Sequence, residues 1–104
     1  QVSYNITSQW ANGFNADVII TNISPNNINT WSLVWNFTGD QVITNAWNTL
    51  WSQSGTMVTA NDAGYNQIIV ANSGTQSFGF QASYSGTNNT LTSSDFTLNG
   101  IPCQ

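Results

Sequence analysis

Very few side chains in this sequence can do acid–base, nucleophilic or metal chemistry. There is no histidine, lysine, arginine or glutamate, and the only acids are Asp17, Asp40, Asp62 and Asp95. Glycoside hydrolysis uses a pair of carboxylates, and a serine or cysteine nucleophile needs a nearby base. Three of the aspartates, all except Asp17, lie in turn-like contexts, where Asp commonly accepts backbone N–H hydrogen bonds. We therefore predict that the chain is not an enzyme and has no metal site or cofactor.

The charge of the chain excludes several kinds of partner. The 104 residues carry a formal net charge of -4 without a single basic side chain. Binding to nucleic acid, or to an anionic membrane surface, depends on Lys and Arg. No apolar run approaches the ~20 residues that cross a bilayer. We therefore expect neither nucleic acid nor a membrane as partner.

Strict alternation of apolar and polar residues dominates the chain. In the segment "WSLVWNF", the residues Trp31, Leu33, Trp35 and Phe37 share one face. Similar short segments are separated by turn signals such as "SPNN", "TGDQ" and "SGTNN". Short alternating strands at roughly even spacing are typical of an antiparallel β-sandwich or barrel. Residues 1–104 are therefore predicted to be a single all-β domain, with Trp31 and Trp35 in its core.

Three aromatic residues do not fit the alternation of apolar and polar residues. Trp10 lies in "SQWANG", Trp47 in "TNAWNT" and Tyr65 in "NDAGYNQ". A single exposed aromatic needs no explanation, whereas several on one surface form a patch that marks a binding site. Trp51, which follows Leu50, is instead expected in the core or packed at an edge.

Such a patch is suited to sugar. The face of a pyranose ring carries C–H groups that an indole covers well, while nearby amides and hydroxyls bond the rim. Bases of single-stranded nucleic acid also stack on aromatics, but they require a positive groove. Polar residues near the three aromatics include Gln9, Asn15, Asp17, Asn45, Asn48 and Asn66.

The segments "SQWANGFNADVIITN", "WSLVWNF", "VITNAW", "FGFQASYSGTN" and "FTLNGIPC" occur in an order that covers essentially the whole chain. Together they resemble the family 2 carbohydrate-binding modules of secreted bacterial cellulases and xylanases. The resemblance implies a two-sheet antiparallel β-sandwich, of immunoglobulin-like or jelly-roll type, with about nine short strands. It also implies surface aromatics at Trp10, Trp47 and Tyr65, and polar ligand-binding residues at Asp17, Asn45 and Gln81.

By this resemblance, the function would be non-catalytic binding of insoluble cellulose by a module of a secreted, extracellular protein. The chain begins with Gln1, and we expect it to be a piece of a longer protein with a covalently linked glycoside hydrolase. The xylan-binding type has an arginine three residues after the first tryptophan, where this chain has Gly13. Binding of xylan or another β-glucan, and a structural or adhesive role in a surface protein, remain the alternatives.

The sequence departs from the family pattern at two places. The third surface aromatic is usually tryptophan and is Tyr65 here. The family also joins a cysteine near the N-terminus to one near the C-terminus, whereas Cys103 is the only cysteine. If the missing partner precedes Gln1, the two chain ends must lie close together, because a disulfide requires Cα atoms within about 7 Å.

Overall fold

The computed structural model describes all 104 residues. They form nine strands and one short 3-10 helix, Ser93–Asp95. In chain order the strands are β1 Val2–Trp10, β2 Gly13–Asn22, β3 Ser32–Asn36, β4 Val42–Trp47, β5 Leu50–Ser54, β6 Met57–Asn61, β7 Gly74–Ser83, β8 Phe96–Leu98 and β9 Ile101–Pro102. No helix is long and apolar enough to span a membrane.

The strands form two antiparallel sheets. One has four strands in the order β1-β2-β7-β4, and the other has five in the order β5-β6-β3-β8-β9. All named pairings are antiparallel. The predicted two-sheet all-β fold with about nine strands is therefore confirmed.

The core lies between the sheets, where the alternating apolar residues meet. Trp31 and Trp35 are each 1% exposed, which confirms their predicted burial. The Trp35 ring centroid lies 5.4 Å from that of Phe96 and 5.9 Å from that of Phe80, so the indole connects strands of both sheets. Aromatic pairs at such distances add to the stabilisation from burial of their area.

The edge of the sandwich between β4 and β5 is closed by two side chains of β5. The Gln53 amide donates to the Gln41 carbonyl at 2.8 Å and accepts from the Ile43 N–H at 2.9 Å. It therefore satisfies backbone groups that an edge strand would otherwise leave free. Trp51 pairs with the buried Ala60, is 36% exposed, and lines a surface groove with Val42 and Ile43 at this edge, which is one of the two places expected for it.

The two chain ends lie together, as expected. The N-terminal amine of Gln1 donates to the Thr21 carbonyl at 3.1 Å, and Cys103 N–H donates to the Phe96 carbonyl at 2.9 Å. Gln1 and Cys103 line the same surface groove. Burial raises the pKa of the Cys103 thiol.

Candidate functional site

The outer face of the four-stranded sheet brings most of the predicted site residues together. The strand register places its outward residues in three successive rows across β1, β2, β7 and β4. The rows are Trp10–Gly13–Ser83–Val42, then Ser8–Asn15–Gln81–Asn45, then Asn5–Asp17–Gly79–Trp47. We call this surface the aromatic face. It has a tryptophan at each of two opposite corners and a polar row between them.

Two β-bulges turn the tryptophans outward. Trp10 has the same parity along β1 as the buried Val2 and Tyr4, so a regular strand would point it into the core. The register of β1 shifts between Ile6 and Ser8, and this extra residue reverses the alternation. A bulge that re-aims a side chain in this way is common beside functional sites.

The second bulge does the same for Trp47. The register of β4 shifts between the buried Ile43 and Asn45, so Asn45 and Trp47 face outward. Each bulge is held by the hydroxyl of its extra threonine, which donates to a carbonyl of the neighbouring strand: Thr7 to Asn15 at 3.3 Å, and Thr44 to Gln81 at 3.2 Å. Both bulges therefore border the same polar row.

The Trp10 indole lies over Gly13, its register partner on β2. A Cβ built on Gly13 would meet Nε1, Cε2 and Cζ2 of Trp10 at 2.6, 2.7 and 2.7 Å. A Cβ at almost equal distances from three adjacent ring atoms must lie above or below the plane of the ring, not in that plane. The ring therefore covers the backbone of β2 at Gly13, and Trp10 as a whole is 41% exposed.

In the third row, the Trp47 indole lies over Gly79 in the same way as Trp10 lies over Gly13. Its Nε1, Cε2 and Cζ2 are the atoms nearest to a Cβ built on Gly79, its register partner on β7. Trp47 is also 41% exposed. Gly13 and Gly79 are four residues and one strand apart, or roughly 14 Å at 3.3–3.4 Å per residue and 4.8 Å between strands. Two indole rings therefore lie against one sheet at this spacing.

Tyr65 lies in the loop after β6 and is tied to the end of β4. It is 74% exposed, and its hydroxyl donates to the Asn48 side-chain oxygen at 2.6 Å. Asn48 follows Trp47 directly and has a φ of 61°, a conformation that Asn tolerates better than most residues. The buried Asn66 donates to the Asn48 carbonyl at 2.8 Å and anchors the loop. The third aromatic is thereby held beside the Trp47 end of the face.

The polar candidates differ in what they present to a ligand. Asp17 and Asn45 are exposed and Gln81 is half-buried, all three on the aromatic face. Asn15 lies in the same row, but its side-chain oxygen is buried without a hydrogen-bond partner. Gln9 pairs with the buried Phe14, so it has the opposite orientation to Trp10, and it donates to the Tyr84 hydroxyl at 2.8 Å. The structure does not bring Gln9 to the aromatic face.

The other three aspartates bind backbone N–H groups, as their turn contexts predict. Asp62 accepts from Trp31 N–H at 3.2 Å, and Asp95 accepts from Thr92 N–H at 2.8 Å. Asp40 accepts from the Ser85 hydroxyl and N–H. The hydrogen bond from the Ser85 side chain is the main reason why the pKa of Asp40 is lowered. Asp17 is therefore the one carboxylate on the aromatic face.

Sequence reasoning missed Gly79, over which the Trp47 ring lies, and it named Asn48 only as one of the polar residues near the aromatics, not as the partner of the Tyr65 hydroxyl. A glycine inside a strand often marks a site where another group approaches the backbone closely, and "FGF" carries that signal. Nothing in the sequence indicates that Asn48 meets Tyr65, because the contact joins two separate loops.

A comparison with known families agrees with this geometry. The model of the family described as "Cellulose binding domain" matches residues 1–103. The chain belongs to this family. The resemblance seen in the sequence to family 2 carbohydrate-binding modules is thereby confirmed. So is the prediction that the chain is not an enzyme, since these modules are non-catalytic accessory domains of glycoside hydrolases.

The curated relatives of this carbohydrate-binding module are much longer proteins. It is 42% identical over 102 residues to exoglucanase B of Cellulomonas fimi, covering 98% of the chain and 9% of that protein. It is 39% identical over 104 residues to endoglucanase CelA of Streptomyces lividans, covering 99% of the chain and 22% of that protein. The chain therefore spans a small part of the length of the relatives it matches.

Solved structures share the sandwich fold. The chitin-binding domain of Chi18aC from Streptomyces coelicolor is 28% identical with a TM-score of 0.75, covering 98% of this module and 91% of that domain. The internal xylan-binding domain of Cellulomonas fimi xylanase D is 21% identical with a TM-score of 0.65, covering 93% and 92%. The second likeness is one of fold alone.

Proposed function

We propose that this module binds the flat surface of insoluble cellulose through the aromatic face. In this proposal it is part of a secreted, extracellular protein and holds a covalently linked glycoside hydrolase on its substrate. The observation that carries the proposal is the position of Trp10 and Trp47, each lying over a glycine of the same sheet. Rings that lie against a sheet offer their faces to a flat array of sugar rings.

The chemistry of the face matches a neutral polysaccharide. The indole faces supply apolar area for pyranose C–H groups, and Asp17, Asn45 and Gln81 supply hydrogen-bonding groups between and beside them. The absence of any basic side chain leaves nothing to attract an anionic polymer.

Gly13 supports cellulose over xylan. A side chain at this position would prop the Trp10 ring away from the strand, because even a Cβ would lie within 2.7 Å of the ring. Because Gly13 has no side chain, the Trp10 ring can lie against β2. A strip of rings with similar orientation fits packed glucan chains, whereas a twisted, soluble xylan chain needs rings turned against one another.

The test is adsorption to microcrystalline cellulose, with affinity electrophoresis in soluble xylan as the comparison. Trp10→Ala and Trp47→Ala should each weaken adsorption by about 30-fold, the loss expected for a hot-spot residue worth about 2 kcal/mol. Trp51→Ala is the matched control, since Trp51 is similarly exposed but packs at the β4–β5 edge.

Circular dichroism and a thermal melt of each variant should show that it is folded. Equal or stronger retention by xylan would contradict the cellulose assignment. Unchanged adsorption in both Trp10→Ala and Trp47→Ala would contradict the aromatic face as the binding site. An equal loss of adsorption in Trp51→Ala would also contradict it. Failure to bind any polysaccharide would favour a structural or adhesive role.

A further inference from the structure

We propose that Gly79 is the positioning residue for Trp47: its missing side chain lets the indole lie flat on β7. The inference rests on the proposed function, since a flat Trp47 matters only if the aromatic face binds the polysaccharide. Gly79 does not contact the ligand in this proposal. It acts through the ring that covers it.

The burial of Gly79 is the first observation. Gly79 faces outward on a central strand, with Asp17 of β2 on one side and Trp47 of β4 on the other. Outward residues elsewhere on β7, such as Ser77 and Thr75, are exposed, whereas Gly79 is buried. The atoms nearest to a Cβ built on it all belong to the Trp47 ring, so the indole is the cover.

The backbone of Gly79 supplies the second observation. Glycine is often required where φ is positive, but Gly79 is not among the residues of this chain with positive φ. Its strand conformation is one that any residue adopts. Glycine weakens a strand interior, so its presence here needs another reason, and the close approach of the Trp47 ring provides one.

Any side chain at position 79 would displace the ring. The nearest ring atoms lie closer to a built Cβ than real Cβ contacts allow. Because Trp47 is 41% exposed and lies on the outer face of the sheet, the ring can tilt away without disturbing the core. A Gly79→Ala variant is therefore expected to fold, with Trp47 tilted out of the plane of the face.

The first experiment needs no ligand. Protons above an indole face experience a ring current, so the Gly79 Hα signals in the free protein should be shifted upfield, and Trp47→Ala should abolish that shift. The absence of an upfield shift at Gly79 would overturn the inference, whatever the module binds. This measurement uses the wild-type protein and therefore does not depend on the stability of any Gly79 variant.

The second experiment measures adsorption to microcrystalline cellulose. Gly79→Ala should bind about tenfold more weakly than wild type, which corresponds to about 1.4 kcal/mol of lost contact. In a Trp47→Ala background, the same substitution should have no further effect. Ser77→Thr is the matched control, because it adds one methyl group to the same strand and face without lying under a ring.

A loss in Gly79→Ala that is equally large in the Trp47→Ala background would overturn the inference, since Gly79 would then act independently of the ring. Unchanged adsorption together with unchanged Trp47 ring signals would also overturn it. If wild-type protein does not adsorb to cellulose while the upfield shift is present, the proposed ligand is wrong and the positioning of Trp47 by Gly79 is retained.

Discussion

Tyr65 allows the contribution of a single ring to be calculated and tested. About 74% of the residue is exposed. A tyrosine buries 150–250 Å² when fully covered, so stacking one face of this ring on a sugar removes roughly 75 Å² from water. At about 25 cal/mol per Å², that is about 2 kcal/mol. Tyr65→Ala should therefore weaken adsorption to cellulose by roughly 25-fold.

The hydrogen bond from Tyr65 to Asn48 is a separate contribution. Tyr65→Phe keeps the stacking area and frees the ring from Asn48, so binding must then immobilise the side chain. That cost is about 0.5–1 kcal/mol, or a two- to fivefold loss of affinity. Asn48→Gly removes the same acceptor and suits the φ of 61° at this position. It should cause a similar loss, and the double variant Tyr65→Phe/Asn48→Gly should be no weaker than either single variant.

Depletion isotherms on microcrystalline cellulose give these affinities, and thermal melts show whether the variants fold. Tyr65→Trp is the complementary variant and should bind more tightly than wild type because it has more stacking area. Wild-type affinity in Tyr65→Ala would show that the ring makes no contact with cellulose. A loss in Tyr65→Phe as large as that in Tyr65→Ala would show that the hydroxyl, rather than the ring face, supplies the affinity.

Three further predictions concern charge, the core and the polar row. Adsorption should change little with salt, or with pH between about 5 and 9, because the chain has no histidine, lysine or arginine and the proposed ligand is neutral; a steep loss in salt would indicate a charged ligand. Tyr4→Phe should raise the melting temperature by about 4–8 °C, because it removes a buried hydroxyl without a hydrogen-bond partner at a gain of about 1 kcal/mol. Burial raises the pKa of Tyr4, so the wild type should also lose stability above about pH 10, where the unfolded chain ionises first, and Tyr4→Phe should lose less. Tyr84→Phe is its control and should melt lower, since the Tyr84 hydroxyl donates to the Trp10 carbonyl at 3.0 Å; a lower melting temperature for Tyr4→Phe would contradict the reasoning. Gln81→Ala should weaken adsorption several-fold, whereas Gln9→Ala should not, and the reverse result would mean that the aromatic face is wrongly placed.

The sequence by itself determined the class of fold, the core and the chemical type of the ligand. Alternation along "WSLVWNF" buries Trp31 and Trp35 because side chains of a strand point to opposite faces, and this rule is local. The lack of basic residues predicts, for any conformation of the chain, that polyanions are not its ligands. The resemblance to the carbohydrate-binding family then gave positions for the aromatic and polar residues.

Only the tertiary structure decided how the rings are presented. Parity along β1 would place Trp10 on the core side and Gln9 outside, but the bulge after Ile6 reverses both. A bulge depends on how two strands pair, and no local pattern in "ITSQW" predicts it. The same holds for Gly79 under Trp47 and Asn48 beside Tyr65, where the partners are 32 and 17 residues apart. Such contacts depend on register and loop packing, which are set by the whole sandwich rather than by neighbouring residues.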